Sequence, residues 1–334
     1  MRHLRPLGRQ PEFHCRRLSG LLLHHAKFLL EILQEHSDAE HILPMREIIA
    51  KMQVIYGIRP DRRTIYAAAA LLIGLGYDLS VYEENGVGYY LRSRPLEQSE
   101  VLLLTDAVYA FPFISARQTE QLVQKLQKQL SCHQRKKYRH LTIARQQHKT
   151  DNRQVFWNIE QLDEAITRKK KVQMDYLHYG LDKTPHVTHR HTVSPYEMVY
   201  LNEHYYLICV PDDVAQTRLF RIDRMANIRL LEAPRSEQPA IRQEAQDAVY
   251  AYVGAPEQIV MRCDRWILDD VIDRFGSDVR ITGDGEEHFT AAFTAPPRGI
   301  KFWALQYLPY VELLQPLWLR NEIIESIGKN KYLK

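Results

Sequence analysis

Only four cysteines occur in 334 residues, Cys15, Cys132, Cys209 and Cys263, far apart and with no Cys-x-x-Cys pair. That excludes a disulfide framework and fits reduced thiols in a cytoplasm. No run of about 18 apolar residues is present, so no membrane-spanning helix is expected. The N-terminal arginines are not followed by an apolar segment ending in a small-residue cleavage site, so no secretory leader is expected. Internal repeats and low-complexity tracts are missing. So is the Gly-x-x-x-x-Gly-Lys-Ser/Thr phosphate loop; Gly283-Asp284-Gly285 reads as a hairpin turn, and Ser194 has no nucleophile-elbow context. Catalysis therefore has little footing, and the chain is expected to be a non-enzyme.

What is present is a globular composition, 45% apolar and 26% charged, which excludes wholesale disorder. The length points to two or three domains. The net charge of +4 hides an asymmetry: residues 1–150 hold 22 basic against 14 acidic side chains, a net of +8, while the remainder nets −4. The first part is suited to a polyanion, although a moderate excess also serves solubility alone.

Apolar spacing predicts a helix from Leu18 to Glu35, a second from Pro44 to about Tyr56 with Gly57 as its stop, and a third from an Asp61 cap to about Leu75. Two β-prone runs follow, Tyr77–Tyr82 and Val87–Leu91, with Asn85-Gly86 as the expected hairpin turn. Three helices and a hairpin are the winged helix-turn-helix order. Helices at Glu97–Phe111 and Ala116–Leu130 precede a basic segment, Arg135–Arg139, and a polar stretch, His148–Arg153. A helix at Ile159–Lys170 then leads into strands at Val172–His178, Thr188–Val199, His204–Val210, Thr217–Ile222 and Ile228–Glu232. Short strands without crossover helices predict a small barrel or sandwich. After the Pro234–Pro239 connector, strands at Gln258–Cys263, Val279–Thr282, His288–Phe293 and Val311–Leu314 alternate with helices at Ile267–Phe275 and Gly299–Gln306. This is the βαββαβ, ferredoxin-like order. A last helix spans Pro316–Ile327.

Four segments in this order resemble the bacterial WYL-domain transcriptional regulators. Tyr205-Tyr206-Leu207 within HYYLIC is similar to the strand that names the family, with Tyr205 where the tryptophan stands. TVSPYEMVY (192–200) resembles the strand before it and RLFRIDRM (218–225) the arginine-rich strand after it. DRRTIY (61–66) and LGY (75–77) resemble a recognition helix entering its wing. Trp303-Ala304-Leu305-Gln306-Tyr307 and Leu313-Leu314-Gln315-Pro316 resemble the C-terminal extension of such regulators. The resemblance implies an Sm-like (SH3-like) β-barrel that senses a nucleotide or nucleic-acid ligand. One departure is Ala67-Ala68-Ala69-Ala70, where similar proteins carry an Arg-Asp pair; it removes a guanidinium from the helix.

The expected architecture is α+β and multidomain. It comprises a winged helix-turn-helix at 1–94, a helical linker or dimerisation segment at 95–150, a ligand-sensing domain at 151–233 and an extension at 240–334. Arg62, Arg63, Thr64, Tyr66 and Asn85 are the candidate contacts to double-stranded DNA, because a helix N-terminus in the major groove offers amides to phosphate and side chains to base edges. The alternative is a solvated, capped helix start. His191, Ser194, Tyr196, Tyr205, Tyr206, Arg218, Arg221 and Arg224 are the candidate effector contacts, since tyrosines stack bases while guanidinium groups bind phosphate. The alternative there is an Asp223–Arg224 ion pair within an ordinary aromatic core. His186, His189 and His191 lack further ligands at suitable spacing, so neither a metal nor another cofactor is expected. A homodimer is expected, because one short helix reads few base pairs. A nucleotide-processing enzyme and a dimeric scaffold that binds no DNA are the rival readings.

Overall fold

The computed structural model describes residues 20–137, 149–214, 216–237 and 255–331. Cys15, the N-terminal arginines, Tyr138 and Arg139 of the basic segment, and the end of the Pro234–Pro239 connector lie outside the described residues. The chain is mixed helix and sheet, and it divides into two units: Met1–Ala110 with Arg117–Gln146, and Phe111–Ala116 with Gln147–Lys334. No described helix is long and apolar enough to cross a membrane.

In the first unit, α1 (Gly20–His36), α2 (Met45–Tyr56) and α3 (Arg62–Gly74) surround one core. The apolar stripes meet there: Leu29 and Leu33 of α1, Ile48 and Met52 of α2, Ile65 and Leu72 of α3, all at most 2% exposed. Each such side chain contributes roughly 1.5–3 kcal/mol by leaving water. Asp61 caps α3 as expected, accepting from Thr64 N at 2.7 Å.

The hairpin departs from expectation. Its strands are only β1 (Leu79–Ser80) and β2 (Tyr90–Leu91), paired antiparallel, and a helical turn, α4 (Tyr82–Asn85), replaces the Asn-Gly turn. Gly86, at φ 69°, ends that turn. Leu43 and Tyr89 exchange two backbone bonds of 2.9 Å, which bring the hairpin onto the α1–α2 loop. Gly88 permits this approach, since a Cβ there would lie 2.1 Å from Leu43 O. Helices α5 (Gln98–Ala110), α6 (Ala116–Gln127) and α7 (Cys132–Lys137) follow; the last was expected only as a basic segment.

In the second unit, α8 (Val155–Thr167) packs on a five-stranded antiparallel sheet: β3 (Lys170–Tyr179), β4 (Pro185–Leu201), β5 (His204–Pro211), β6 (Arg218–Arg221) and β7 (Met225–Pro234). The strand order is β6-β5-β4-β3-β7. β6 and β7 are consecutive in the chain yet occupy opposite edges, joined by a three-residue 3-10 turn, Ile222–Arg224. Four Cα steps span at most about 15 Å, so the sheet must curl until its edges approach. No ladder joins them among the described residues, and the expected closed barrel is not found. β6 has only four residues, and the carbonyls of the turn are bonded by side chains of Asn152 and Asn158.

The rest of this unit comprises β8 (Glu257–Asp264), α9 (Leu268–Phe275), β9 (Arg280–Asp284), β10 (His288–Ala295), α10 (Pro297–Gln306), β11 (Val311–Gln315) and α11 (Leu317–Gly328). The strands pair antiparallel in the order β11-β8-β10-β9. Ile259, Met261 and Cys263 alternate into the core, as a strand with one buried face requires. Burial pushes the Cys263 thiol up to about 12.

Candidate functional site

The two faces of α3 differ in kind. Ile65, Ala68, Ala69 and Leu72 are buried, while Arg62, Arg63, Tyr66, Ala67, Ala70 and Ile73 are exposed. The alanine run is therefore shared: two alanines pack the core and two face outward. Thr64 is half-buried, its amide held by Asp61. Asn85 organises the hairpin loop. Its amide nitrogen donates to Ser80 Oγ, Val81 O and Gly88 O at 2.9–3.0 Å, and its oxygen accepts from the Val87 and Gly88 amides at 2.7 and 2.9 Å. Glu83 and Glu84 make this loop acidic, with Glu84 paired to Arg92.

The effector candidates divide across the curled sheet. Register partners share a face, so Tyr206 and Arg221 lie together. Ser194 and Tyr196 are on that same face, with Ile208, Val210 and Leu219, but their polar atoms are already engaged. Ser194 Oγ accepts from Ser236 N at 3.0 Å, the Tyr196 hydroxyl lies 2.6 Å from Ser236 Oγ, and the Arg235 guanidinium lies 5.1 Å from the Tyr196 ring centre. His191 and Tyr205 are on the opposite face, near Phe220 and Phe113 at 5.0 and 6.0 Å between ring centres. Arg218 is exposed on edge strand β6.

The 3-10 turn gathers the charge. Arg221 donates from Nε and Nη2 to the two carboxylate oxygens of Asp223 at 3.0 and 2.7 Å, and Asp223 is 6% exposed. Burial opposes the Arg221 charge, but Asp223 outweighs it and raises the pKa. The expected alternative pair, Asp223 with Arg224, is not the one formed. Arg224 instead lies 5.9 Å from the centre of the Tyr179 ring, and its Nε is buried without a protein partner. His204 Nδ1 is also buried and unpartnered. Burial first, then Arg221, lowers the His204 pKa, and Tyr206 is raised by burial against the pull of Arg221.

Two asparagines that sequence reasoning missed hold the turn from behind. Asn152 donates to Asp223 O and Met225 O at 2.9 Å, and Asn158 to Ile222 O and Met225 O at 3.3 and 2.9 Å. The sequence carried a signal: Asn158 interrupts the buried stripe Val155, Leu162, Ala165 of α8, and a fully buried amide needs partners. Beside the turn opens a cleft of about 320 Å³, lined by Thr150, Asn152, Gln154, His178, Tyr179 and Asp223 among others. Among the described residues no cluster of three or more histidine, cysteine or carboxylate groups is placed to hold a metal.

Residues 158–230, from α8 through the curled sheet into β7, match the WYL domain family. No curated protein sequence matches the chain. Among solved structures, the chain is similar to one described as proteasome accessory factor B/C (PafBC) of Arthrobacter aurescens, at 16% identity and a TM-score of 0.27. That match covers 96% of this chain but only 50% of the other, so this chain spans about half its length. It is also similar to a crystal structure of a CRISPR Cas-related protein, at 12% identity and a TM-score of 0.36, covering 96% of this chain and 87% of that one.

Proposed function

We propose that this chain, which carries a WYL domain at residues 158–230, is a ligand-responsive DNA-binding regulator of transcription. The observation that carries the reading is the outward face of α3, where Arg62, Arg63 and Tyr66 stand exposed at the start of a capped helix. In this reading α1–α3 with β1 and β2 form a winged helix-turn-helix, and α3 enters the major groove of double-stranded DNA. Thr64 orients the helix start through the Asp61 cap, and Asn85 shapes the wing. The curled sheet is the Sm-like sensing module, and the β8–β11 sheet with its helices is the ferredoxin-like extension.

The effector is a nucleotide or a single-stranded nucleic acid. It is held at Arg224, Tyr206 and His204, with Arg221 oriented by Asp223. A guanidinium offers directional bonds to phosphate, and the neighbouring tyrosines offer stacking faces. Binding rather than turnover is the activity assigned, and no cofactor takes part. The protein acts as a homodimer in a cytoplasm, with α5 as the contact helix, since Leu103 is 71% and Leu104 41% exposed on it.

Fluorescence anisotropy of the full chain with random-sequence duplexes tests the reading. Salt-sensitive binding that changes when a cyclic nucleotide or a short single strand is added supports it. Failure to bind any duplex at low salt overturns it.

A further inference from the structure

We infer that the DNA half-site taken by α3 places thymine methyl groups against Ala67 and Ala70; this rests on the DNA-binding reading above. The stripe that α3 turns outward runs Arg63, Tyr66, Ala67, Ala70 and Ile73, at the i, i+3, i+4, i+7, i+10 spacing of one helix face. C-terminal to Tyr66 the stripe, Ala67, Ala70 and Ile73, carries no hydrogen-bonding side-chain group; Arg63 and the Tyr66 hydroxyl stand at its N-terminal end. Its length from Arg63 to Ala70 is about 10 Å, the rise of about three base pairs.

A major groove offers such a surface little to recognise. Every base edge there presents a donor, an acceptor or both, and the one apolar group is the C5 methyl of thymine. A stripe of methyl groups gains from that contact. Set against the amino group of cytosine or the carbonyl and N7 of guanine, it leaves a polar edge unmatched. Alanine is also short enough to let the helix backbone come close to the groove floor, where carbon atoms meet at about 3.5–4.0 Å. Charge favours DNA over a protein partner for this face, because Arg59, Arg62 and Arg63 are all exposed at its start. The Asp61 carboxylate there is occupied by its cap bond to Thr64 N.

The test uses the full chain. Duplexes are selected from a random library, and each thymine of the bound half-site is then replaced by deoxyuridine, which removes the methyl and keeps every hydrogen bond of the base pair. Affinity should fall about fourfold for each methyl in contact, the effect of about one buried carbon. In Ala70→Gln, whose site is exposed, the difference between thymine and deoxyuridine duplexes should shrink. Equal affinity of the wild type for both duplexes overturns the inference and leaves the DNA-binding reading standing. If no duplex is selected, both fall. A dimer seen by sedimentation for the wild type but lost in Ala70→Glu would assign the stripe to a protein contact and overturn the inference as well.

Discussion

Arg221 and Asp223, two residues apart, hold each other through two parallel N–H···O bonds of 3.0 and 2.7 Å across the start of the 3-10 turn. That pair gives Arg221 a structural role in the turn, beside the ligand contact proposed for it. Arg221→Ala would leave the Asp223 carboxylate, whose side chain is 4% exposed, without its cation. Breaking a buried pair costs roughly 3–5 kcal/mol. The Arg221 side chain is 22% exposed, which places the expected loss at the lower end of that range. Urea unfolding should show a lower midpoint for Arg221→Ala and a substantial recovery in Arg221→Met/Asp223→Leu. An unchanged midpoint in the single variant would refute the structural role.

Asn158→Ala should destabilise the same turn from the other side. The amide is fully buried and supplies donors to Ile222 O and Met225 O. Leaving buried carbonyls short of a donor costs about 1–3 kcal/mol. Met225 O keeps its bond from Asn152, so the loss should sit in the lower half of that range. Asn152→Ala/Asn158→Ala should exceed the sum of the single losses, because together they remove both donors to Met225 O. Additive losses in a double-mutant cycle would show that the two amides act separately.

These residues also show what could be read in advance. The alternation of Ile259, Met261 and Cys263 and the stripe of α3 were legible, because period two and period 3.6 are properties of local chain geometry. The hairpin turn was misjudged. Asn-Gly tolerates positive φ, but here Asn85 ends a helical turn and spends its amide on five bonds within its own loop, so Gly86 alone takes the left-handed conformation. Curling of the five-stranded sheet is a long-range property that strand lengths do not encode. Ser194 and Tyr196 are candidate effector contacts by sequence, and their bonds to Ser236 and Glu237, far along the chain, are not legible there. The Arg221–Asp223 bond depends on the 3-10 turn, which sequence reasoning had drawn as strand.

Acid should weaken the first unit in two stages. His36 is lowered by burial and then by Lys51, His133 and Arg135, with Glu35 opposing. His133 is lowered by burial and then by His41, Lys136 and Lys51, with Asp38 opposing. Both folded-state values lie below the unfolded value of about 6.5. The unfolded chain therefore binds more protons, and stability present above about pH 6.5 is lost as pH falls through the folded values. Asp38 follows the same sign lower down: burial raises it, but bonds from Ser131 and His41 prevail and depress it. Its contribution is held above about pH 4 and lost below. Urea midpoints at pH 7.5 and 5.5 should fall on acidification, and less steeply in His36→Gln/His133→Gln. Equal slopes in both proteins would count against the assignment.

DNA affinity should be largely electrostatic. Arg62 and Arg63 are exposed, and each phosphate contact removed should lower the slope of log affinity against log salt by about one. Arg62→Ala and Arg63→Ala should each weaken binding, and a variant that loses discrimination between sequences without losing slope identifies the base contact. If both variants keep wild-type affinity and slope, α3 does not enter DNA.

The proposed effector site can be separated from the scaffold because Arg221 and Arg224 differ in what holds them. Arg221 is bonded twice to Asp223, whereas Arg224 Nε is buried without a hydrogen-bond partner and its guanidinium lies 5.9 Å from the centre of the Tyr179 ring. Removing Arg224 therefore relieves a buried, unmatched donor, which offsets the lost ring contact, worth about 0.5–2 kcal/mol at a half-buried position. Arg224→Gln should leave the melting temperature close to that of the wild type. If an anionic ligand binds the Arg224 guanidinium, the same substitution removes a charge-assisted bond worth about 1.5–3 kcal/mol, so affinity should drop at least tenfold. The ligand can alter DNA binding only through a difference in its affinity for two states of the protein, with a coupling of about 1–3 kcal/mol in ordinary cases. Calorimetric titration with a cyclic nucleotide and with a short single-stranded oligonucleotide, beside melting curves of wild type, Arg221→Ala and Arg224→Gln, resolves the two roles. Loss of heat with unchanged melting in Arg224→Gln assigns it to the ligand. Lowered melting in that variant assigns it to the fold, and absence of heat for the wild type at millimolar ligand removes the nucleotide from this site.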